Sequence, residues 1–174
     1  MLKLKHFLVY RKYFLISFIT YVISILLGMI LSKFLNFDIA ANEEGFWNIF
    51  AHNFRLGITI MIFGWISLGS VSSLYLGYNG GFLGAFTFSI IKNHGMSPIL
   101  TGILPHGLIE LFAILLFSTL GFETFRYINF LKHRAKNNEN IVYYKGFKSS
   151  ICIFLTATLL LLIATYIESH LSHI

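Results

Sequence analysis

The sequence contains few charged residues, few prolines and almost no cysteine. Only 11% of its 174 residues are charged, whereas a soluble domain carries about a quarter. The single cysteine, Cys152, excludes a disulfide within the chain and a framework of the kind found in small secreted proteins. The scarcity of charge excludes water as the main surroundings of the chain, and the lipid bilayer is the alternative solvent.

The chain contains several long apolar runs. Hydrophobic residues make up 56% of the chain, and a helix needs about 20 apolar residues to cross a bilayer. The pattern predicts an all-α fold, a polytopic transmembrane bundle of about five helices that forms a single membrane domain over residues 1–174. The predicted helices cover residues 13–35, 54–76, 78–91, 98–122 and 149–167, and residues 123–148 form a cytoplasmic linker.

The basic residues are concentrated in two short segments. Residues 3–12 carry four of the 13 Lys and Arg residues, and residues 126–148 carry six. Such segments stay on the cytoplasmic side of a membrane protein, so topology explains the net charge of +6 without a nucleic-acid partner. Five crossings put both segments and the N-terminus in the cytoplasm. The short third helix could instead be a re-entrant hairpin, but that would put the second basic segment outside.

A stripe of small residues predicts close helix packing. Small residues at every fourth position let helix backbones approach one another in lipid. We expect this stripe to pack the second helix against the third, and an interface with a further copy or with other membrane subunits is compatible with it. The stripe consists of Gly69, Ser73, Gly77, Gly81, Ala85 and Ser89.

The fourth predicted helix contains two titratable residues on one face, His106 and Glu110, which are four positions apart. Both would lie near the middle of the bilayer, where a charged carboxylate costs at least about 2.5–3.5 kcal/mol. Pro105 removes one backbone hydrogen bond and frees the carbonyl of Thr101. Gly107 permits a kink and a close contact. One helical turn therefore combines a bend, a free backbone acceptor and two titratable groups.

Three interpretations of this turn remain open. It is a structural pair that locks the helix to its neighbours, a polar site for a ligand, proton or partner, or part of a metal site. The spacing supplies only two ligands, whereas zinc requires three or four, so we predict no metal and no cofactor. Asn79 and Glu168 complete the predicted intramembrane polar site, although Asn79 could also lie in a cytoplasmic turn and Glu168 could mark a helix end.

Three blocks of the sequence resemble the stage II sporulation protein M family of integral membrane proteins. The main block is Pro105-His106-Gly107-x-x-Glu110-Leu111, followed by Ala113 and Gly121. The second is Asn53-x-Arg55 in front of a glycine-rich helix that ends in Asn79-Gly80, and the third is Ala164-x-x-Ile167-Glu168. Phe112 departs from the family pattern, which often has proline there, so the local kink is expected to differ.

The resemblance implies a multi-pass subunit of the cell membrane that works with partners. One branch of the family acts with wall-degrading proteins in spore engulfment. Another accompanies ATP-binding transport subunits in gene clusters for circular bacteriocins, and the small basic chain fits this branch better. We expect a non-enzymatic subunit that assists export, maturation or immunity of such a peptide. The alternatives are an intramembrane peptide-processing enzyme that uses His106 and Glu110, and a scaffold of a cell-wall remodelling complex.

Overall fold

The computed structural model describes residues 2–34, 45–137 and 146–171. Within these ranges the chain forms α-helices and no strands, which confirms the predicted all-α fold. The helices are α1 (Leu2–Leu31), α2 (Phe46–Ile66), α3 (Ser70–His94), α4 (Leu104–Gly121), α5 (Glu123–Asn137) and α6 (Gly146–Leu171), with a π-helical turn at Ile99–Ile103 before α4. Part of the predicted linker, residues 138–145, lies outside the described residues.

Among the described residues, four helical segments are long and apolar enough to cross a membrane. They are Tyr10–Leu31, Phe46–Ile66, Ile99–Lys132 and Phe147–His170. α3 is not among them, because its glycines and polar residues lower its mean hydropathy. Its 25 residues nevertheless extend about 38 Å at 1.5 Å per residue, which exceeds the thickness of a bilayer core.

α1 and α3 run side by side in the same direction. The hydroxyl of Tyr21 donates to Asn79, and the hydroxyl of Ser32 donates to the carbonyl of Ala85. Later positions on α1 therefore meet later positions on α3. α3 is one continuous helix from Ser70 to His94 and not a re-entrant hairpin, so it carries the chain from one end of the bundle to the other.

The remaining long helices alternate in direction. Ser118 near the end of α4 is 2.9 Å from Ser17 on α1 and 3.2 Å from Ser72 near the start of α3, hydroxyl to hydroxyl. At the other end of α4, His106 lies beside Glu168, which is near the end of α6. α4 therefore runs against α1, α3 and α6. Five helices, all except α5, traverse the bundle.

This arrangement collects the described parts of both basic segments at one end of the bundle, as the charge pattern predicts. The end contains the start of α1, the turn between α2 and α3, the end of α4, α5 and the start of α6. We call it the basic end, defined by Tyr10, residues 67–69, residues 122–137 and Phe147. The opposite end, with residues 95–99 and Glu168, is the distal end. The side of the membrane that each end faces stays a prediction.

The boundary between α2 and α3 differs from the predicted one. α2 starts earlier than residue 54, at Phe46, and ends at Ile66. The turn that follows depends on Leu68 and Gly69, whose φ angles are 57° and 95°, a left-handed conformation in which a helix cannot continue. Hydropathy does not reveal the break because Leu68 continues the apolar run through it.

Two predicted features therefore lie elsewhere than expected. Asn79 and Gly80, the predicted cytoplasmic turn, lie inside α3, so that interpretation is wrong. Asn53, expected to open the second helix at the interface, lies two turns inside α2 and is buried, whereas Arg55 is exposed.

α4 is the central helix of the bundle, and nearly every residue of its second half is buried. One hydrophobic cluster joins it to α2 and α6, and consists of Met61, Ala113, Phe117, Leu120, Ala157 and Leu161. A second cluster joins it to α1, α2 and α3, and consists of Tyr21, Ile60, Leu76, Ile114 and Leu115. The side chains of α4 therefore contact all the other long helices.

The small residues of α3 pack mainly against α1, not against α2 as expected. A Cβ atom added to Gly84 would lie 2.1 Å from the carbonyl oxygen of Ile25, and one added to Gly28 would lie 2.0 Å from that of Gly81. Both distances are too short for a real contact, so only glycine permits this separation of the two backbones. A Cβ atom added to Gly77 would lie 3.3 Å from the hydroxyl oxygen of Ser24.

A second close approach, between α2 and α4, was not anticipated from the sequence. A Cβ atom at Gly57 would overlap the ring of Phe117, and one at Gly64 would lie 2.5 Å from the Cα atom of Gly121. Gly69, predicted as a packing residue, lies in the turn, where a Cβ atom would meet the ring of Phe122 at 2.1 Å.

Candidate functional site

The chain departs from regular α-helix just before the residues predicted to form the site. The backbone N–H of Leu104 bonds the carbonyl of Ile99, five residues back, which is the pattern of a π-turn. Pro105 has no N–H, so it cannot bond the carbonyl of Thr101 in the α-helical manner. A wider turn accommodates this lost bond, and single π-turns frequently lie at functional sites.

His106 follows this turn and points into the bundle. It is 8% exposed, and its Nε2 atom lies 4.0 Å from Oε1 of Glu168 on α6, within the range of an ion pair. The imidazole also donates a hydrogen bond to the carbonyl of Gly102, in the π-turn. The sequence suggested Glu110 as the partner of His106, whereas the carboxylate that the structure places beside the ring comes from another helix.

Glu110 lies one turn further along α4 and is half-buried. It is close enough to interact electrostatically with the carboxylate of Glu168 and with the hydroxyl of Tyr21. Its charged neighbour is therefore a second carboxylate. Two acidic groups that share one region of low dielectric constant repel each other when both are ionised, so this region favours the binding of a positive charge.

Tyr21 connects this region to Asn79. The tyrosine is 3% exposed, and its hydroxyl donates to Oδ1 of Asn79 over 3.0 Å. Sequence reasoning missed Tyr21, because a tyrosine in an apolar run is typical of any membrane helix. The one available signal was that a buried tyrosine hydroxyl needs a partner, and Asn79 is one of several polar residues of α3 that could supply it.

These five residues form a polar track through the bundle. We use this name for Asn79, Tyr21, Glu110, Glu168 and His106, which come from α3, α1, α4, α6 and α4 in that order. The track begins near the middle of α3 and reaches the distal end at Glu168. It brings together all four residues of the predicted polar site. Within the described parts of the chain, no group of three or more His, Cys, Asp or Glu residues could hold a metal ion.

The predicted packing glycines lie apart from this track, with one exception. Gly107 is adjacent to His106, and the nearest atom to a Cβ added there is a methyl group of Ile103 on the same helix, at 3.5 Å. That is an ordinary van der Waals contact, so Gly107 makes no forced close approach to another helix. Gly69, Gly77 and Gly81 serve the turn and the α1–α3 contact.

A family model for stage II sporulation protein M matches residues 15–173. The chain belongs to the stage II sporulation protein M family. The match covers nearly the whole chain, so it includes the polar track and all the long helices, and it confirms the resemblance seen in the sequence. No curated protein and no solved structure gives a match. Family and fold together establish a membrane protein similar to stage II sporulation protein M.

This family member has a second polar cluster, at its basic end, which the sequence did not reveal. Arg126 on α5 is only 7% exposed. It forms an ion pair with Glu123, and its guanidinium lies over the ring of Tyr10. The Tyr10 hydroxyl is 3.0 Å from that of Ser150 and donates to Glu123 at 3.4 Å. We call these four residues the Arg126 cluster.

The Arg126 cluster joins α5 to the first turns of α1 and α6. α5 occupies the first part of the segment predicted as a cytoplasmic linker. The side of α5 that carries Arg126 is buried against the bundle, whereas Phe125, Tyr127 and Lys132 are exposed. α5 is thus a fixed part of the bundle.

Proposed function

We propose that the chain is a non-enzymatic subunit of the cell membrane that assists export, maturation or immunity of a circular bacteriocin-type peptide, together with an ATP-driven transporter. The observation that carries this proposal is the attachment of α5 through the Arg126 cluster. α5 offers an ATP-binding subunit a rigid docking surface on the basic end.

The Arg126 cluster also supports a mechanical link between that surface and the membrane helices. Tyr10 belongs to α1 and Ser150 to α6. Their hydroxyl oxygens lie 3.0 Å apart, and the ring of Tyr10 also contacts Arg126 on α5. A displacement of α5 by a partner would therefore be passed to two membrane helices at once. Helix displacement driven by a soluble subunit is a common way to couple two sites.

The distribution of charge supports a cytoplasmic position of α5. Residues 3–12 and 126–148 carry ten of the 13 basic residues, and the described parts of both segments belong to the basic end. The positive-inside rule assigns such an end to the cytoplasm, where ATP is available to a transport subunit.

Co-purification tests this function. The tagged full-length chain, isolated in mild detergent from cells that carry its neighbouring genes, should bring down an ATP-binding subunit in stoichiometric amount, with measurable ATP hydrolysis. The variant Lys132→Glu, on the exposed side of α5, should lose the subunit. Lys92→Glu makes the same change of charge on the exposed distal end of α3 and should retain it.

The identity of the partners also distinguishes the proposal from a scaffold. Recovery of wall-degrading proteins with large outer domains would favour a role in cell-wall remodelling. Recovery of the chain alone, with peptide export unaffected by its deletion, would contradict the proposed transport role.

The polar track favours one further candidate, an intramembrane peptide-processing enzyme with Glu110 as general base. Replacing Glu110 by Gln preserves the shape of the side chain and removes its basicity. If the protein is such an enzyme, Glu110→Gln accumulates at wild-type levels and leaves the peptide unprocessed, as measured by mass spectrometry. If the track serves transport, the peptide is processed and its secretion falls.

A further inference from the structure

The hydroxyl of Thr165 on α6 is buried and lacks a hydrogen-bond partner among the described residues. Thr165 is 1% exposed. The other buried threonine among the described residues, Thr119, is also 1% exposed, and its hydroxyl donates to the carbonyl of Leu115 on its own helix over 2.8 Å. A buried polar atom without a partner is costly, so Thr165 indicates a place where a polar ligand group can bind.

The helix register places Thr165 beside the acidic part of the polar track. α4 and α6 are antiparallel, and His106 lies next to Glu168. Three residues back along α6 from Glu168 is Thr165, on the same face of the helix. Three to four residues forward along α4 from His106 are Ile109 and Glu110. Thr165 therefore lies level with Glu110, one helical turn deeper in the bundle than Glu168.

Glu110, Glu168 and Thr165 together offer three groups that accept hydrogen bonds and up to two negative charges. A primary ammonium group has three N–H donors and one positive charge, so each N–H can bond to one of these groups and the charge neutralises one carboxylate. Protonated His106, beside Glu168, would neutralise the other. A metal ion fits less well, since the described residues include no group of three metal-binding side chains placed around one point.

We propose that Glu110, Glu168 and Thr165 form an acidic site that binds the primary ammonium group of a peptide. The choice of a peptide rests on the proposed function. The site reaches the distal end through Glu168, whose side chain is 31% exposed, and ends at Thr165, which is 1% exposed. Because a circular peptide has no amino end, the ammonium group is that of a lysine side chain, which enters from the distal end while the apolar side chains of the peptide stay in lipid.

The test compares two peptides that differ only in the ammonium group. An apolar decapeptide of leucine and alanine has a blocked amino end, one lysine and a fluorophore at its carboxyl end, and the lysine side chain is either free or acetylated. Binding to the purified full-length chain in detergent is followed by fluorescence anisotropy. We expect the free amine to bind at least about tenfold more tightly, the effect of charge-assisted hydrogen bonds.

Isosteric variants then locate the site. Glu110→Gln and Glu168→Gln should each reduce the difference between the two peptides by about tenfold, and Thr165→Val by about three- to tenfold. Thr119→Val is the matched control, since this buried threonine lies near the basic end, and it should leave the difference unchanged. If Glu110→Gln fails to fold, Glu168→Gln and Thr165→Val suffice, and the comparison of peptides on the natural chain needs no variant.

Three outcomes would overturn the proposal: equal binding of the free and acetylated peptides, binding of neither, or a preference for the free amine that all three variants preserve. A lipid with an ammonium headgroup is the competing ligand. If phosphatidylethanolamine displaces the free peptide but not the acetylated one, the lipid headgroup occupies the site and the proposal fails.

The outcome is separable from that of the proposed function. An ammonium-dependent affinity in the purified chain requires no ATP-binding partner, so it would stand even if co-purification recovered none. Conversely, co-purification could recover an ATP-driven complex although the chain binds both peptides equally. That result would contradict only the proposed ammonium site.

Discussion

The guanidinium carbon of Arg126 lies 3.6 Å from the centre of the Tyr10 ring, so the first membrane helix and the fifth helix are held together by a cation and an aromatic face. Such contacts contribute up to about 2 kcal/mol when they are shielded from water. Glu123 neutralises the same guanidinium. Arg126 is thus the residue on which the position of α5 depends.

Replacing Arg126 by Ala should destabilise the chain by about 3 kcal/mol, because it leaves Glu123 without its cation in a largely buried position. The measurement is the midpoint of thermal unfolding of the purified chain in detergent. The double variant Arg126→Met, Glu123→Gln removes both charges and should recover most of this loss. A double variant as unstable as the single one would show that the ion pair does not fix α5.

Replacing Gly84 by Ala should separate α1 from α3, because the added Cβ atom would lie 2.1 Å from the carbonyl oxygen of Ile25. We expect a loss of about 1–3 kcal/mol, the usual cost of overpacking. Gly81→Ala is the control on the same helix, since its nearest neighbour is 3.7 Å away. Equal stability of the two variants in the same detergent would contradict the close approach.

Replacing Tyr21 by Phe should cost about 0.6 kcal/mol and no more than about 1.7 kcal/mol, the average and the largest value measured for hydrogen bonds between membrane helices. The variant keeps the buried ring and removes only the hydroxyl that donates to Asn79. A double-mutant cycle with Asn79→Leu isolates this bond. If the bond links α1 to α3, the two changes are less than additive, whereas full additivity would exclude it.

Cysteine labelling in intact cells tests the five-helix topology. After Cys152→Ser, single cysteines are introduced by Lys132→Cys at the basic end and by Lys92→Cys at the distal end, both at exposed positions. A membrane-impermeant maleimide should label only position 92 from outside, and position 132 only after the cells are opened. Labelling of position 132 from outside, with position 92 labelled only after the cells are opened, would mean that α3 does not cross.

Composition and the apolar runs were sufficient to predict the class of fold and the presence of five long helices. They were not sufficient to locate the turn between α2 and α3, because that turn depends on two left-handed residues and one of them, Leu68, is apolar. The small-residue stripe correctly indicated close packing of α3. The stripe could not identify the helix against which α3 packs, because a small residue does not reveal which helix it faces. α1 itself shows no such stripe, since its one glycine is Gly28.

The residues of the polar site were predictable because charge is rare in a membrane helix, so Glu110 and Glu168 are conspicuous. Their neighbours were not. The position of Glu168 beside His106 depends on the antiparallel register of α4 and α6, and that of Tyr21 beside Asn79 on the parallel register of α1 and α3. Neither register is encoded in a local pattern. The Arg126 cluster was missed for the same reason, as it joins residues that are 113 and 140 positions apart.

Gly84 and Gly28 each contact the backbone of the other helix, which leaves α1 and α3 no room to rotate against each other. The two helices should therefore move as one rigid unit. The neighbouring joint with α4 is different, because Ser17 and Ser72 meet Ser118 through hydroxyl groups that can exchange partners after a small slide. Any relative motion of the helices would therefore occur at the contact between these three serines, with α1 and α3 on one side and α4 and α6 on the other.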